Sequence, residues 1–157
     1  MKWWPIVGIK NYFTEKVDYT KKIKIDLKES FKEKVFQKSL HIFVIDCGTS
    51  NLLNFTIKAL KSPQYNIHRF GIFFTETPRH ADLLIILGPI CEKMVNPLKE
   101  TIEQMPEPFK VLILEEEIDF EDKLNISIPN LVARIKKDIS PFELLGILLK
   151  IQKGEIS

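Results

Sequence analysis

The sequence has 157 residues and a mass of 18.3 kDa, enough for one domain with a buried core and too little for two. Apolar residues make up 45% and charged residues 28%, the balance of a globular domain with a solvated surface. No apolar run approaches the roughly 18 residues of a membrane-spanning helix, and residues 1–12 lack the apolar stretch of a secretory signal. Two cysteines, Cys47 and Cys91, exclude a disulfide framework and are too few for a site made of four thiolates.

The charge divides the chain into two parts. Residues 1–39 carry ten Lys and five acidic residues, whereas residues 40–157 carry thirteen basic and sixteen acidic residues. We interpret residues 1–39 as a basic N-terminal arm or docking extension, in which Lys28–Lys38 has the spacing of a short helix. Trp3 and Trp4 stand beside basic residues there, so we consider them candidates for contact with a membrane surface or a partner groove. Residues 40–157 are the predicted folded domain.

From Leu40 onward, apolar runs typical of buried strands alternate with helical patterns. The predicted strands are His41–Asp46, a β-rich run over Asn66–Phe74, Asp82–Leu87, Lys110–Leu114 and a β-like piece at Leu131–Ile135. The predicted helices are Thr49–Lys61, with Thr49 or Ser50 as N-cap, then Lys93–Met105 and Pro141–Lys153. This alternation predicts an α/β fold of the flavodoxin-like, doubly wound type, with a mainly parallel sheet of four to five strands and helices on both faces.

In a doubly wound sheet the functional site lies beyond the carboxyl ends of the strands. We therefore expect it in Asp46–Asn54, Phe74–His80, Gly88–Met94 and Leu114–Asp122. These segments contain neither a nucleotide-binding glycine motif nor a zinc spacing. Within them, Arg79 is a candidate partner for an acidic group at the carboxyl edge.

The reactive side chains of these segments have plain structural interpretations. Cys47 follows a strand and precedes a helix, but no motif links it to a base, and we predict a buried structural thiol there and at Cys91. His80 is predicted to hydrogen-bond to the loop backbone. The run Glu115–Glu117 is predicted to be a solvated face rather than a pair of catalytic carboxylates.

Several segments resemble one known family. They are Lys38–Ile42 leading into Asp46–Gly48, Ser62–Gly71, Thr77–Asp82, Gly88-Pro89, Met94, Asn96–Leu98 and Glu103–Pro108. Together they resemble the small subunit of membrane-bound, energy-converting nickel–iron hydrogenases, which is homologous to a cluster-bearing subunit of respiratory complex I. His80 favours the hydrogenase branch, since the complex I branch more usually has Gln there. The resemblance covers residues 38–114 well and residues 141–151 loosely.

The resemblance implies a 4Fe–4S cluster held by four cysteines, and this sequence lacks all four. The first family motif reads Gly-Ser-Cys-x-Gly-Cys, but alignment through Gly48 puts Ser50 and Leu53 at its two ligand positions. The third position falls in Glu115–Glu117 and the fourth in Lys136–Ile139. Because clusters are held by thiolates, we predict that no cluster is bound, and we assign no other cofactor, metal ligand or catalytic residue.

What the resemblance then implies is a set of surfaces. The leading hypothesis is a cluster-free structural, docking or regulatory subunit of a membrane-associated, hydrogenase-like or complex-I-like oxidoreductase, not catalytic alone. The implied partners are a hydrogenase-like large subunit and membrane-arm subunits, through which the chain would lie peripherally on the cytoplasmic face of the membrane. The candidate interaction residues are Trp3, Trp4, Arg69, Arg79 and His80.

Two alternatives remain open. One is an electron-transfer subunit whose redox centre is either bound unusually through Cys47, Cys91 and His80 or borrowed at an interface. The other is a small-ligand module in which the vacated cluster position, near Leu52 and Leu53, accepts a flavin or nucleotide; it rests on fold analogy alone. Nucleic-acid binding is disfavoured because the basic arm is diffuse and the folded domain is net negative.

Overall fold

The computed structural model describes residues 39–116 and 126–154, so the helix predicted at Lys28–Lys38 lies outside the described residues. In the described part, five strands form one sheet: β1 (Leu40–Asp46), β2 (Ile72–Phe74), β3 (Leu83–Leu87), β4 (Lys110–Glu115) and β5 (Leu131–Lys136). The α-helices there are α1 (Asn51–Leu60), α2 (Val95–Glu103) and α3 (Pro141–Lys153).

All strand pairs are parallel, and the strand order is β2-β1-β3-β4-β5. This is the order of flavodoxin-like folds, so the predicted fold class is confirmed. In the central strands the register places Ile85 between Val44 and Leu112. Every residue of β3 and β4 is buried, which is why both strands read as continuous runs with few polar residues.

Side chains of the central strands alternate between two hydrophobic cores, one on each face of the sheet. Leu83, Ile85 and Leu87 belong to the core that α1 and α3 cover. Leu84 and Ile86 belong to the core that α2 covers. Helices therefore lie on both faces, as predicted.

The β-rich run predicted over Asn66–Phe74 is mostly a turn. Ile67–Phe70 forms a 3₁₀ helix, and only Ile72–Phe74 is strand. Asn66 at φ 43° and Gly71 at φ 74° adopt left-handed conformations on either side of that helix, which interrupts the extended backbone. The predicted second helix is also shorter, because Glu92–Met94 forms a 3₁₀ turn and α2 begins at Val95.

The short β2 strand decides where the following loop lies. Phe74, its last residue, pairs with Ile42, and Leu83, the first residue of β3, pairs with the same Ile42. The loop between them stays at the amino half of β1, where the Asp82 N–H donates to the His41 carbonyl over 2.8 Å. The prediction that placed Phe74–His80, and with it Arg79, at the carboxyl edge was therefore wrong.

Helix α3 begins with a capping box. The Ser140 hydroxyl accepts a hydrogen bond from the Glu143 N–H over 3.3 Å, and the Glu143 carboxylate accepts one from the Ser140 N–H over 3.1 Å. Lys137 Nζ donates to the same carboxylate over 2.8 Å. The hydrogen bond from Lys137, followed by the one from the Ser140 backbone, lowers the pKa of Glu143 below its ordinary value of 4.5.

Replacing Ile85 with Ala tests the position of the main core. Ile85 is 0% exposed. Removing its side chain leaves a cavity, so we expect the free energy of unfolding to fall by about 2–5 kcal/mol. The control is Phe55→Ala on the outer face of α1, where the ring is 62% exposed and a change below about 0.5 kcal/mol is expected. Urea unfolding measures both, and equal losses would contradict the burial assigned to β3.

Replacing Glu143 with Gln tests the charge at the start of α3. A carboxylate whose pKa is lowered by folding stabilises the fold above its ordinary pKa, and this contribution is lost as the pH falls through the folded-state pKa. Gln retains the acceptor of the capping box but does not titrate. The wild type should therefore lose stability relative to Glu143→Gln as the pH drops from about 7 to about 3. A stability difference that is the same at every pH in urea unfolding would contradict this.

Candidate functional site

Three segments meet at the carboxyl edge of β1, β3 and β4. They are the loop 47–50, the turn 88–91 and residues 115–116, and we call them together the carboxyl-edge cluster. The Gly88 N–H donates to the Leu114 carbonyl over 2.7 Å, and the Cys91 N–H donates to the Cys47 carbonyl over 3.2 Å. Backbone hydrogen bonds thus link the middle segment to both of its neighbours.

Glycine is required at two positions of this cluster. Gly88 has φ +83°, and a Cβ there would lie 2.5 Å from the Thr49 backbone nitrogen. Gly48 has φ +135°, and a Cβ there would lie 3.1 Å from the Pro89 carbonyl oxygen. A side chain at Gly88 would push the two turns apart, and one at Gly48 would be strained by its backbone conformation.

Asp46 shapes the first loop. One carboxylate oxygen accepts hydrogen bonds from the N–H groups of Gly48, over 3.0 Å, and Thr49, over 3.1 Å. The other accepts one from Asn54 Nδ2 over 2.7 Å. This Asx-type turn places Ser50 as the N-cap of α1, as the sequence predicts, with its hydroxyl accepting from the Leu52 N–H over 3.3 Å.

Glu116 lies at the centre of the cluster and is 6% exposed. Its Oε1 accepts hydrogen bonds from Thr49 Oγ1, over 2.8 Å, and Ser50 Oγ, over 2.6 Å. Its Oε2 is buried and has no hydrogen-bond partner within residues 39–116 and 126–154. The carboxylate stands beside the first residues of α1, where the helix dipole favours negative charge.

The prediction that Glu115–Glu117 forms a solvated face was wrong for its first two residues. Glu115 is also 6% exposed, and it forms ion pairs with Arg134, over 3.3 Å, and Lys136, over 3.8 Å. Both basic residues lie on the neighbouring strand β5, directly beside the end of β4. The sequence did contain a signal for this burial, because Arg134 and Lys136 lie two residues apart on one face of β5. The signal can be interpreted only once β4 and β5 are known to pair. Glu117 lies outside the described residues.

The positions at which the resemblance implies cysteines come together in this structure. Ser50, at the first position, donates to Glu116, within the segment of the third. Leu53 at the second position is 1% exposed, Ile139 in the segment of the fourth is 5% exposed, and both belong to the core beneath α1 and α3. Thr56 Oγ1 donates to the Ile139 carbonyl over 3.2 Å, which links α1 to the segment before α3.

These residues do not fit a 4Fe–4S cluster. They offer a hydroxyl, a carboxylate and two aliphatic side chains where the cluster needs thiolates. Cys47 cannot substitute, because its side chain belongs to the core on the opposite face of the sheet from Leu53 and Ile139.

Cys47 is 0% exposed, and the prediction of a buried thiol is confirmed there. Burial, and then the negative charges of Cys91 and Asp46, raise the pKa of Cys47 to about 12. Cys91 is only half-buried, so the prediction of a buried thiol was wrong at that position. His80 lies on the loop between β2 and β3, at the amino half of β1, so the structure does not bring it to the two cysteines. In the described part of the chain, no three His, Cys, Asp or Glu side chains are grouped so that they could hold a metal ion.

The predicted interaction residues fall in different places. Arg69, Arg79 and His80 are exposed, and the Arg69 guanidinium lies 4.6 Å from the centroid of the Phe70 ring. Trp3 and Trp4 lie outside the described residues.

The sequence analysis missed an exposed apolar pair on α1, formed by Leu52, 47% exposed, and Phe55, 62% exposed. Their spacing of three residues on the polar side of the predicted helix was the available signal. Leu52 is exposed whereas Leu53 is buried, so the pocket proposed to be lined by both is not formed by these two side chains.

Comparison with known proteins gave sequence relatives and a structural neighbour, but no family model matches the chain. It is 36% identical over 77 residues to an uncharacterised protein of Methanocaldococcus jannaschii, covering 49% of this chain and 52% of that protein. It is 34% identical over 80 residues to a probable membrane-bound hydrogenase subunit of Pyrococcus furiosus, covering 51% of this chain and 47% of the relative. It is 33% identical over 82 residues to formate hydrogenlyase subunit 7 of Escherichia coli, covering 52% of this chain and 32% of the relative.

One structural neighbour is a chain of the membrane-bound sulfane sulfur reductase, an archaeal respiratory membrane complex. The TM-score is 0.51 at 20% identity, over 74% of this chain and 72% of that one, which supports the fold alone. The matched part of the chain spans about half or less of the length of the curated relatives.

A double-mutant cycle on Ser50 and Glu116 tests the contact at the centre of the carboxyl-edge cluster. Ser50→Ala removes the N-cap of α1 and one donor to a buried carboxylate, so we expect a loss of about 1–3 kcal/mol of unfolding free energy. In a Glu116→Ala background only the cap is lost, so the same substitution should cost less. Urea unfolding of the four proteins measures the coupling energy. Equal costs in both backgrounds would show that the contact contributes nothing.

Proposed function

Because the chain is related over about half its length to the small-subunit family of energy-converting hydrogenases, we propose that it is a cluster-free subunit of a membrane-associated, hydrogenase-like or complex-I-like oxidoreductase. In this proposal it docks other subunits, or regulates them, and does not itself carry electrons. It is not catalytic alone.

The observation that carries the proposal is the contact between Ser50 and Glu116. The chain keeps the fold and the segments that match the family. A 2.6 Å hydrogen bond nevertheless joins Ser50, at the first implied ligand position, to Glu116, in the segment of the third. Leu53, at the second implied position, and Ile139, in the segment of the fourth, are part of the hydrophobic core. Electron transfer through a 4Fe–4S cluster requires thiolate ligands, and these side chains supply none.

The proposed partners are a hydrogenase-like large subunit and membrane-arm subunits. The support is that two relatives are named as a membrane-bound hydrogenase subunit and a formate hydrogenlyase subunit. Arg69, Arg79 and His80 are exposed, as contacts with other subunits require.

We further propose that the chain associates with the membrane peripherally, through these partners and on the cytoplasmic face. Within residues 39–116 and 126–154, no helix is both long enough and apolar enough to cross a bilayer. In the proposed assembly, membrane attachment is supplied by the partner subunits.

Affinity purification of the tagged chain from gently solubilised native membranes tests the proposed assembly. We expect a large hydrogenase-like subunit and integral membrane proteins to be recovered with it in fixed ratio, identified by mass spectrometry. Arg79→Glu should lower this recovery, because it reverses the charge of an exposed interaction candidate. Lys93→Glu, an equal charge reversal on the exposed turn before α2, is the control. A chain recovered alone would overturn the assembly proposal.

Iron and acid-labile sulfide analysis of the same chain tests the cluster-free part separately. After anaerobic isolation and reconstitution with iron and sulfide, we expect no stoichiometric retention of either element. A full complement of both, lost in a Cys47→Ser, Cys91→Ser variant, would instead establish a redox centre of unusual ligation.

A further inference from the structure

The two cysteines of the chain belong to adjoining segments of the carboxyl-edge cluster. Cys47 begins the loop that follows β1, and Cys91 ends the turn that follows β3. The Cys91 N–H donates to the Cys47 carbonyl over 3.2 Å. A single backbone hydrogen bond keeps the Cα atoms of the two residues within roughly 7 Å of each other, as it does in a β-turn. This range overlaps the roughly 4.4–6.8 Å that disulfides span.

The Cys91 side chain lies beside Gly48, the residue that follows Cys47. A Cβ at Gly48 would lie 3.8 Å from the Cys91 Cβ and 3.9 Å from its Sγ, so the Cys91 side chain packs directly over the backbone that follows Cys47. The two thiols also differ in access, since Cys91 is half-buried and Cys47 is fully buried. An oxidant from solvent therefore reaches Cys91 first.

We propose that Cys47 and Cys91 form a redox-closable thiol pair that a small disulfide converts to an internal Cys47–Cys91 disulfide. The Cys91 thiolate attacks one sulfur of the small disulfide, and the other half leaves as a thiolate that takes up a proton from solvent. Cys47 then loses its proton and attacks the Cys91 sulfur, which expels the second half as a thiol. Two protein thiols are oxidised, and one small disulfide is reduced to two thiols.

The order of the two steps follows from the environment of Cys47. Burial, and then the charge of the Cys91 thiolate, raise its pKa, which makes Cys47 a poor first nucleophile. Once Cys91 is in a mixed disulfide its charge is gone, and one of the causes that raise the pKa of Cys47 is removed. Cys47 is thus the resolving thiol and Cys91 the reactive one.

Formation of the Cys47–Cys91 disulfide would constrain the loop 47–50, whose side chains hydrogen-bond to Glu116. Thr49 and Ser50, which donate to Glu116, lie on the same loop as Cys47. A disulfide would fix this loop to the turn 88–91, and so couple the thiol–disulfide balance of the surroundings to the carboxyl-edge cluster. The inference does not depend on the proposed assembly, because it needs only the folded chain.

Oxidation of the full chain by oxidised glutathione under native conditions tests the pair. The wild type should go from two free thiols to none, lose the mass of two hydrogen atoms and carry no glutathione, as read by intact-mass spectrometry. Cys47→Ala should instead retain one glutathione on Cys91, because nothing resolves the mixed disulfide. Cys91→Ala should stay unmodified, because the remaining thiol is buried.

Circular dichroism before oxidation establishes that each variant is folded. If Cys47→Ala does not fold, comparison of the wild type with the Cys91→Ala variant is sufficient to test the pair. A stable glutathione adduct on wild-type Cys91 would overturn the proposal, as would a disulfide between two chains or two unreacted thiols. In the oxidised wild type, amide hydrogen exchange at Thr49 and Ser50 should slow relative to the reduced form. Unchanged exchange there would refute the coupling to the cluster.

Discussion

The close approach of Gly88 to the backbone of Thr49 is the constraint on which the carboxyl edge of the sheet depends. Because a Cβ at this position would lie 2.5 Å from the Thr49 nitrogen, only glycine lets the turn after β3 pack directly against the loop after β1. This packing keeps the loop within reach of the residue that follows β4. The hydrogen bonds from Thr49 and Ser50 to Glu116 exist because two backbones, and not two side chains, form the contact between the turns.

In the cluster-free subunit that we propose, ordinary protein interactions around this contact take the place of the metal cluster that the family resemblance implies. A 4Fe–4S cluster would cross-link the loop after β1, the end of β4 and the segment before α3 by covalent bonds to iron. Here a carboxylate links the first two through hydrogen bonds, and Leu53 and Ile139 join the first and the last through the hydrophobic core. The Glu116 carboxylate stands beside the N-terminus of α1, where the helix dipole favours negative charge.

Particular elements show where sequence patterns were sufficient. The strands β3 and β4 were predicted within one residue at either end, because strands buried on both faces are short apolar runs. The patterns failed for Asn66–Phe74, where apolar and aromatic residues suggested a strand but left-handed residues on both sides impose a turn. The patterns also failed for Arg79. The length of strand β2 decides at which end of the sheet the following loop lies, and the sequence of that loop does not encode this length.

The sequence by itself determined the α/β alternation, the two apolar faces and the lack of thiolates at the four family positions, since each follows from residue identity or from neighbours a few positions apart. Only the tertiary structure decided that Glu115 and Glu116 are buried and paired. Glu116 meets Ser50 across 66 residues of sequence, and Glu115 meets Arg134 because β4 and β5 are adjacent and parallel. Such pairings depend on strand order and register, which arise from the packing of the whole chain. From the sequence alone, a run of three glutamates is therefore interpreted as a solvated surface, because the strands that bury it are not yet placed.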